Sequence, residues 1–561
     1  MNQFISHIKF LLIICLLVTT SCSKNFLDKQ PSDQPANDVF FKSETELTLA
    51  LDGAYEGLYW ESSATPYPIW FDSSTDISFN RGDYAGMYAI QTGEFSTQTG
   101  TFYSIWSALY TRIARCNNLL TNMHKARNVV SEDTYNLIEA QAKTLRAFFY
   151  MYLVNLYGDV PFVTDMISLD DARRATRTPR AAIAETLYAD LDFAASVLPL
   201  VWSGDGKNGR ITQGAANALK ARIALYEGDY RIAADAAEKV IQSNVYTLSD
   251  NFSELFTLVG KGSNESILHV PYLRGIKSNG IPRYLGLRTT QGWSIVVPTQ
   301  NIVDFFQCTD GKHIDESPRY DPKNPYENRD PRLTQSILTP GQWFDGLLFE
   351  NHPDSTTTLQ DQNGKLVRVN NQEVTHAYAS FTGYVWKKYL DPIELPAFST
   401  QSEVDFIYIR YAEVLLTYAE AKIELNEIDA SVFDAINQVR GRKSVEMPAV
   451  SAGSQDELRK LIRYERTVEL AIEGTRLFDI RRWKYAEHVL PGNTLGRKKR
   501  EFYQQYPIPS IDEYGQSHYT DEDKLFNIIG VNTFDPAKNY LWPIPQKERD
   551  LNTALDQNPN Y

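Results

Sequence analysis

The stretch TQGAANALKARIALYEGDYRIAADAAEKVI (Thr212–Ile241) carries the clearest structural pattern in the chain. Thr212 stands where a side-chain oxygen can accept a hydrogen bond from the free amides of a first helical turn. Residues then recur at the three- and four-residue steps of one helix face, namely Ala215, Ala218, Leu219, Arg222 and Tyr226. Gly228-Asp229 interrupts the pattern, and a second face follows through Ile232, Ala233, Ala236, Ala237 and Val240. The stretch therefore predicts two helices joined by a turn.

The small residues on both inner faces would let the two backbones approach closely. This arrangement resembles a tetratricopeptide helix pair, whose repeat is about 34 residues long; any other α-helical hairpin is the alternative. Because one pair cannot bury its apolar face alone, the pattern predicts further helices that stack against it. Helical spacing indeed recurs at 102–127, 134–157, 178–198, Phe406–Leu425 and Val432–Arg440. The fold is therefore expected to be mainly α.

Composition and motifs restrict the classes of function. The 561-residue chain has a formal net charge of −14, and 12% of its residues are aromatic. An acidic protein is poorly suited to nucleic acid, because phosphates favour clustered Lys and Arg. Metalloprotease, nucleophile-elbow and phosphate-loop motifs are absent, as is Cys-x-x-Cys spacing. We therefore predict a protein that is not an enzyme and binds no metal or cofactor. Cys116 and Cys308 leave open either a disulfide or two buried thiols.

The first 21 residues have the features of a secretory signal peptide. An apolar run, Phe10–Val18, follows Lys9 and is too short for a permanent membrane span. Small residues at 19–21 precede Cys22, whose thiol can accept a diacylglycerol. The sequence predicts removal of residues 1–21, a lipid anchor on Cys22 and a polar tether over 22–40. An ordinary signal peptide with an incidental cysteine is the alternative.

Residues 60–100 lose helical periodicity and mix aromatic with polar side chains. This pattern predicts that the aromatic residues are poorly placed for a core. Residues 244–405 alternate short β-like runs with polar loops, and the loops at 340–376 are expected to be decoration. Charged residues also recur at regular spacing. Glu465, Glu469 and Glu473 lie four apart and predict an ion-paired helix surface. In ENRDPRL (Glu327–Leu333), both arginines are expected to pair with the intervening Asp330.

Several blocks resemble the SusD/RagB family of Bacteroidota outer-membrane lipoproteins. They are CSKNFLDKQPSD (Cys22–Asp33), TLRAFFYMYLVNLYGDVPFV (Thr144–Val163), RITQGAANALKARIALYEGDY (Arg210–Tyr230) and the closing stretch Asn539–Tyr561. The resemblance implies a SusD-like fold in which TPR-like helix pairs form a curved scaffold and a loop-rich region with short strands carries the ligand. It implies an N-terminal helical part over 41–243 and a C-terminal part over 244–561, merged into one unit.

The same resemblance implies a function. Members of the family bind oligosaccharides, or peptides in some cases, and cover a SusC-type TonB-dependent transporter at the outer face of the outer membrane. We therefore expect a lipid-anchored surface protein that binds a glycan and passes it to such a transporter. A peptide or other nutrient is the alternative ligand. A glycoside hydrolase and a scaffold that binds no nutrient are more remote alternatives.

Ligand contacts in the family come from loops that correspond here to residues 60–100 and about 280–300. These loops carry no motif, so candidates are chosen by residue type. Aromatic rings suit the apolar faces of a sugar, and Asp, Asn and Arg suit its hydroxyl edges. The candidates are Trp70, Asp76, Asn80, Arg81, Tyr84, Tyr88, Tyr284, Arg288 and Trp293. For each aromatic residue, packing beneath a loop is the alternative.

Overall fold

A computed structural model describes residues 40–204 and 209–561. The predicted signal peptide over 1–21, the predicted lipid anchor at Cys22 and the tether up to residue 39 lie outside the described residues. Within the described ranges, every helix is too short or too polar to serve as a membrane span.

Helices dominate the described chain, and the strands between them are short. The helices are α1 (Glu44–Tyr55), α2 (Tyr67–Asp72), α3 (Met87–Thr92), α4 (Gly100–Asn122), α5 (Glu132–Tyr157), α6 (Leu169–Ala172), α7 (Arg180–Val197), α8 (Gln213–Glu227), α9 (Tyr230–Gln242), α10 (Ile281–Leu285), α11 (Gln300–Phe305), α12 (Arg332–Ser336), α13 (Gln372–Thr375), α14 (Tyr411–Glu424), α15 (Ala430–Arg440), α16 (Gln455–Glu469), α17 (Arg476–Arg482), α18 (Ala486–Val489), α19 (Glu522–Leu525) and α20 (Gln546–Leu551).

The strands are β1 (Glu61–Ser62), β2 (Thr65–Pro66), β3 (Ser78–Asn80), β4 (Ser266–Val270), β5 (Val296–Pro298), β6 (Ile337–Leu338), β7 (Trp343–Phe344), β8 (Leu347–Leu348), β9 (Thr357–Gln362), β10 (Lys365–Asn370), β11 (Val385–Trp386), β12 (Phe406–Arg410), β13 (Gly492–Lys498), β14 (Ser510–Ile511), β15 (Ser517–His518) and β16 (Phe526–Asn532). They pair antiparallel, and the largest sheet has the order β10-β9-β8-β7. That sheet occupies part of the segment expected to be loop decoration.

The helix pair predicted from Thr212–Ile241 is confirmed. Thr212 caps α8, because its Oγ1 accepts a hydrogen bond from the amide of Ala215 at 3.2 Å. Gly228 ends α8 at a φ of 84°, a left-handed conformation that glycine adopts without strain. α9 then packs against α8 along its small buried residues. It also packs against α14, so the pair has the neighbours that its apolar faces require.

Other helices extend this packing in both directions along the chain. α4 packs on α5, α5 on α7 and α7 on α8, while α14 contacts both α15 and α16. One hydrophobic core runs through all of these contacts, from Phe41 to Leu555. Cys116 and Cys308 are both buried in the described protein, and both are free thiols.

The predicted helix over Phe406–Leu425 is wrong in its first five residues. Phe406–Arg410 form β12, which pairs antiparallel with β4, and α14 begins only at Tyr411. The run is rich in aromatic and β-branched residues, and it is buried throughout. Such residues favour a strand where a partner strand is available, and β4 supplies that partner.

The acidic residues predicted to line a helix surface are instead buried in an ion-pair network. The network comprises Glu265, Glu465, Glu469 and Glu473 with Arg332, Lys388, Arg410, Arg440 and Arg442. Glu469 has no exposed surface, and Nη1 of Arg410 donates to it at 2.7 Å. The four-residue spacing correctly indicated ion pairing. It did not indicate that β12 and α12 would cover this face.

The loop around Asp330 differs partly from its prediction. Nη2 of Arg332 donates to Oδ2 of Asp330 at 2.7 Å, as expected. Arg329 instead donates to backbone carbonyl oxygens, including that of Val303 at 2.7 Å. It therefore fastens this loop to α11 and forms no ion pair with Asp330.

Candidate functional site

Strand pairing brings the two predicted ligand loops together. β3 pairs with β5, so the residues that follow β3 lie beside those that precede β5. The backbone amide of Arg81 donates to the carbonyl of Ile295 at 2.8 Å. The Arg81 side chain donates to the carbonyl of Ser294 from Nε at 3.3 Å and to that of Trp293 from Nη2 at 3.0 Å. Arg81 is thus held across the junction of the two loops.

Three aromatic residues from these loops pack edge to face. The ring centroids of Tyr84 and Tyr284 are 5.7 Å apart, and those of Tyr284 and Trp293 are 5.6 Å apart. Tyr284 is buried, whereas Tyr84 and Trp293 are half-buried. The guanidinium of Arg283 lies 4.8 Å from the centroid of the Trp293 ring. Tyr284 therefore supports two rings that retain contact with solvent.

A third segment, which sequence reasoning did not nominate, completes the surface. The Tyr378 side chain is 58% exposed, and its ring centroid lies 5.0 Å from the guanidinium carbon of Arg81. Nη2 of Arg288 lies 2.9 Å from Nε2 of His376. The sequence feature that could have indicated this segment is Tyr378, an aromatic residue shortly after a polar stretch. We name this surface the platform; its residues are Arg81, Tyr84, Arg283, Arg288, Trp293, His376 and Tyr378.

Helix α13 fixes the third segment in place. Oε1 of Glu373 accepts hydrogen bonds from the amide and the hydroxyl of Thr289, at 2.8 and 3.0 Å. Nε of Arg497 donates to the carbonyl of Ser380 at 2.8 Å. The segment 340–376 was expected to be a peripheral loop. Near its end, Glu373 is hydrogen-bonded directly to Thr289 in one of the ligand loops.

Trp70 lies beneath the platform rather than on it. Its side chain has no exposed surface, and its Nε1 donates to the carbonyls of Ser62 and Thr65, both at 3.1 Å. The indole nitrogen, its polar atom, is therefore satisfied inside the protein. The aromatic residues of 60–100 were expected to fit poorly in a core. That expectation is wrong for Trp70, and also for Trp60 and Phe71, which are buried.

Two of the remaining candidates, Asp76 and Asn80, stabilise the framework. Asp76 is buried and forms an ion pair with Arg476, with Nη2 and Oδ2 2.7 Å apart. Asn80 is fully buried, and its Nδ2 donates to the carbonyl of Tyr84 at 3.0 Å, which shapes the turn that presents that ring. Tyr88 is half-buried on α3 and makes none of the platform contacts described above.

The charges of the platform are predominantly positive. Burial and the neighbouring guanidiniums of Arg288 and Arg81 lower the pKa of His376. Burial, followed by the charge of Arg288, lowers the pKa of Arg81. Burial is the larger cause of both shifts, and the nearby guanidiniums act in the same direction.

A second concave region has Thr382 and Tyr384 in its wall. It is a cavity of about 260 Å³ lined by Tyr320, Tyr326, Tyr384, Tyr503, Tyr506 and Tyr519, among others. Burial raises the pKa of Asp304, at its wall, to about 6. Most of these hydroxyls are occupied within the wall; Tyr519, for example, donates to Asp304 at 2.8 Å. Across residues 40–204 and 209–561, no cluster of His, Cys, Asp and Glu is arranged to hold a metal ion.

Comparisons with known proteins agree with this architecture. The model of the SusD family matches residues 264–561, and a second model, described as starch-binding associating with outer membrane, matches residues 25–225. The SusD-like protein P2 of Formosa agariphila is 26% identical and is aligned over 99% of both chains.

Solved structures show the same fold. A SusD-like carbohydrate binding protein from Bacteroides fragilis is 28% identical, with a TM-score of 0.79 over 92% of this chain and 100% of that one. A laminarin binding SusD-like protein has a TM-score of 0.67 at 22% identity, over 93% of this chain and 100% of that one, which shows likeness of fold alone. The predicted mainly α, SusD-like fold is confirmed, and this chain belongs to the SusD family.

Proposed function

We propose that this protein binds an oligosaccharide on the platform and does not cleave it. The observation that carries the proposal is the placement of partly exposed rings, Trp293 and Tyr378, beside the guanidiniums of Arg81 and Arg288. A sugar presents apolar C–H faces to aromatic rings and hydroxyl edges to hydrogen-bond donors. The carbohydrate-binding descriptions of its relatives support the same ligand class.

The expected affinity is modest. An aromatic contact contributes about 0.5–1.5 kcal/mol beyond the area it buries, and association itself carries a large entropic cost. Two or three such contacts on an open surface are consistent with micromolar to millimolar dissociation constants, or about −8 to −4 kcal/mol. Binding of that strength suits a protein that must release its ligand to another component.

We propose the location and the partner on the same family grounds. Cys22 would carry the lipid that holds the protein on the extracellular face of the outer membrane, and the ligand would pass to a SusC-like TonB-dependent transporter. The description of the second matching family model, which mentions the outer membrane, supports this placement. So does the signal-like sequence over residues 1–22.

Hydrolysis is disfavoured by the composition of the platform. Glycoside hydrolysis generally requires two carboxyl groups that flank the scissile bond, and none of the residues that form the platform is an acid. A peptide ligand remains the second candidate, because guanidinium and aromatic groups also suit peptide carbonyls and side chains. A direct comparison of oligosaccharide and peptide panels separates the two.

The test uses the purified mature protein in a titration calorimetry screen of neutral and charged oligosaccharides. Tyr378→Ala and Trp293→Ala should each weaken binding by about 2- to 10-fold, from the loss of one ring contact. Trp343→Ala is the matched control, since Trp343 is 47% exposed but lies on β7, outside the platform. Equal losses in all three variants, or binding of peptides alone, would contradict the proposal.

A further inference from the structure

The platform arginines lack acidic partners. Most arginines of the described chain form an ion pair with a carboxylate within 4 Å, including every arginine of the buried network. Among the described residues, no such pair reaches Arg81, Arg283 or Arg288. In a chain with a net charge of −14, three clustered guanidiniums without a direct ion pair require an explanation.

Other groups hold these arginines without neutralising them. Arg81 and Arg288 donate to backbone carbonyls, which fix their orientation but carry no net charge. Arg283 lies over the ring of Trp293. Nε of Arg288 is inaccessible to solvent and has no hydrogen-bond partner in the described part of the chain. The site is therefore rich in cations, and one of its guanidinium donors has no acceptor among the described residues.

The nearby carboxylate compensates this charge only in part. Glu373 directs Oε1 to Thr289, and burial raises its pKa. Its Oε2 has no hydrogen-bond partner among the described residues, and the charges of Arg497 and Arg288 oppose the effect of burial on its pKa. The carboxyl forms no direct ion pair with the platform arginines.

His376 shows the same need for an acceptor. The backbone amide of Tyr378 donates to its Nδ1 at 3.0 Å, while Nη2 of Arg288 faces its Nε2 at 2.9 Å. A neutral imidazole accepts at only one nitrogen, so one of these contacts sets donor against donor. An anionic group bound beside Arg288 and His376 would accept from both side chains.

Resting on the proposed function, we propose that the ligand of the platform is an anionic oligosaccharide, with a carboxylate or sulfate group against Arg81, Arg288 and His376. The planar guanidinium matches both groups, because its N–H donors can bind two oxygens at once. The partly exposed rings of Trp293 and Tyr378 then contact an apolar face of the sugar. Charge selects the ligand class, and the rings hold it.

The test compares three probes of similar length by calorimetry: an oligogalacturonate, a sulfated galacto-oligosaccharide and the neutral galacto-oligosaccharide. We expect at least one charged probe to bind about 10-fold more tightly than the neutral one, which corresponds to about 1.4 kcal/mol. The better of the two charged probes identifies the acidic group. Equal affinity for all three probes would overturn the inference.

Variants locate the effect. Arg288→Gln should weaken the charged probe far more than the neutral probe and so remove most of the preference for charge; Arg81→Gln should act in the same direction. Arg368→Gln is the control, because Arg368 is also without an ion pair among the described residues but is exposed on β10. If Arg368→Gln weakened binding of the charged probe as much as Arg288→Gln does, the preference would reflect general charge attraction. That result would overturn the inference.

The result also separates the two proposals. If the neutral probe binds, Tyr378→Ala weakens it and charge confers no preference, the platform binds sugars and only the anionic inference fails. If no probe binds, or if Tyr378→Ala changes nothing, the proposed function fails and the inference fails with it.

Discussion

Two groups of arginines in this protein differ in what surrounds them. Arg410 is fully buried and donates to Glu469 and Glu473 at 2.7 Å and to Glu265 at 2.8 Å. Arg288 is half-buried and faces a histidine and a carbonyl. A buried charge is tolerated only when it is paired, whereas a charge near solvent can remain available to a ligand. Pairing, rather than residue type, therefore distinguishes a structural arginine from a candidate binding arginine.

The largest expected effect is on stability. Arg410→Met leaves three buried glutamates short of a counter-charge and should lower the free energy of unfolding by about 3–5 kcal/mol. Arg288→Met, the matched change on the platform, should alter it by no more than about 0.5 kcal/mol. Denaturant unfolding of both variants measures the difference. Equal losses would mean that the two groups have the same structural role.

Acid should destabilise the buried ion pairs. Burial alone would raise the pKa of Glu420, but Arg482 and Arg466 hold it at about 2, and both Nη atoms of Arg482 donate to it at 2.6 Å. Because this pKa is below the ordinary value of a glutamate, the stabilisation is fully present above about pH 4.5 and is lost as pH falls towards 2. Unfolding measured across this window should show a loss of roughly 3 kcal/mol from this group.

Glu420→Gln supplies the control for that prediction. The variant should be less stable at neutral pH and should lose less stability between about pH 4.5 and 2, since the titrating group is absent. A variant with the same acid dependence as the parent protein would contradict the assignment.

The smallest expected effect is a difference in salt dependence between the platform arginines and the buried ion-pair network. Raising salt from about 0.05 M to about 0.5 M shortens the screening length severalfold. Affinity for a charged oligosaccharide should then fall severalfold, because the platform arginines are partly exposed to solvent. The stability contributed by the buried network should change little, since buried pairs are screened less. Salt-independent binding of the charged probe would show that the platform charges do not contact it.

Much of the helical part was predictable because its signals are local. The cap at Thr212, the turn at Gly228 and the spacing of small residues lie within one stretch, and each has its expected place in the structure. The strand Phe406–Arg410 was not predictable from spacing alone, because its partner β4 lies well over a hundred residues earlier in the chain.

The site was predictable only in part, for the same physical reason. Arg81, Tyr84, Arg288 and Trp293 were nominated by residue type in the family's loop positions, and the β3–β5 pairing brings them together. Trp70 has the same chemistry as Trp293 but is buried, because exposure depends on neighbours that are distant in sequence. Tyr378 was missed because its segment reaches the platform through contacts with residues distant in sequence, such as that of Glu373 with Thr289.

A crystal structure of the protein with a bound anionic oligosaccharide tests the central claim most directly. We predict that its acidic group lies within about 3 Å of a guanidinium nitrogen of Arg81 or Arg288, with a sugar face against Trp293 or Tyr378. An oligosaccharide bound instead in the tyrosine-lined cavity, with the platform empty, would contradict the account.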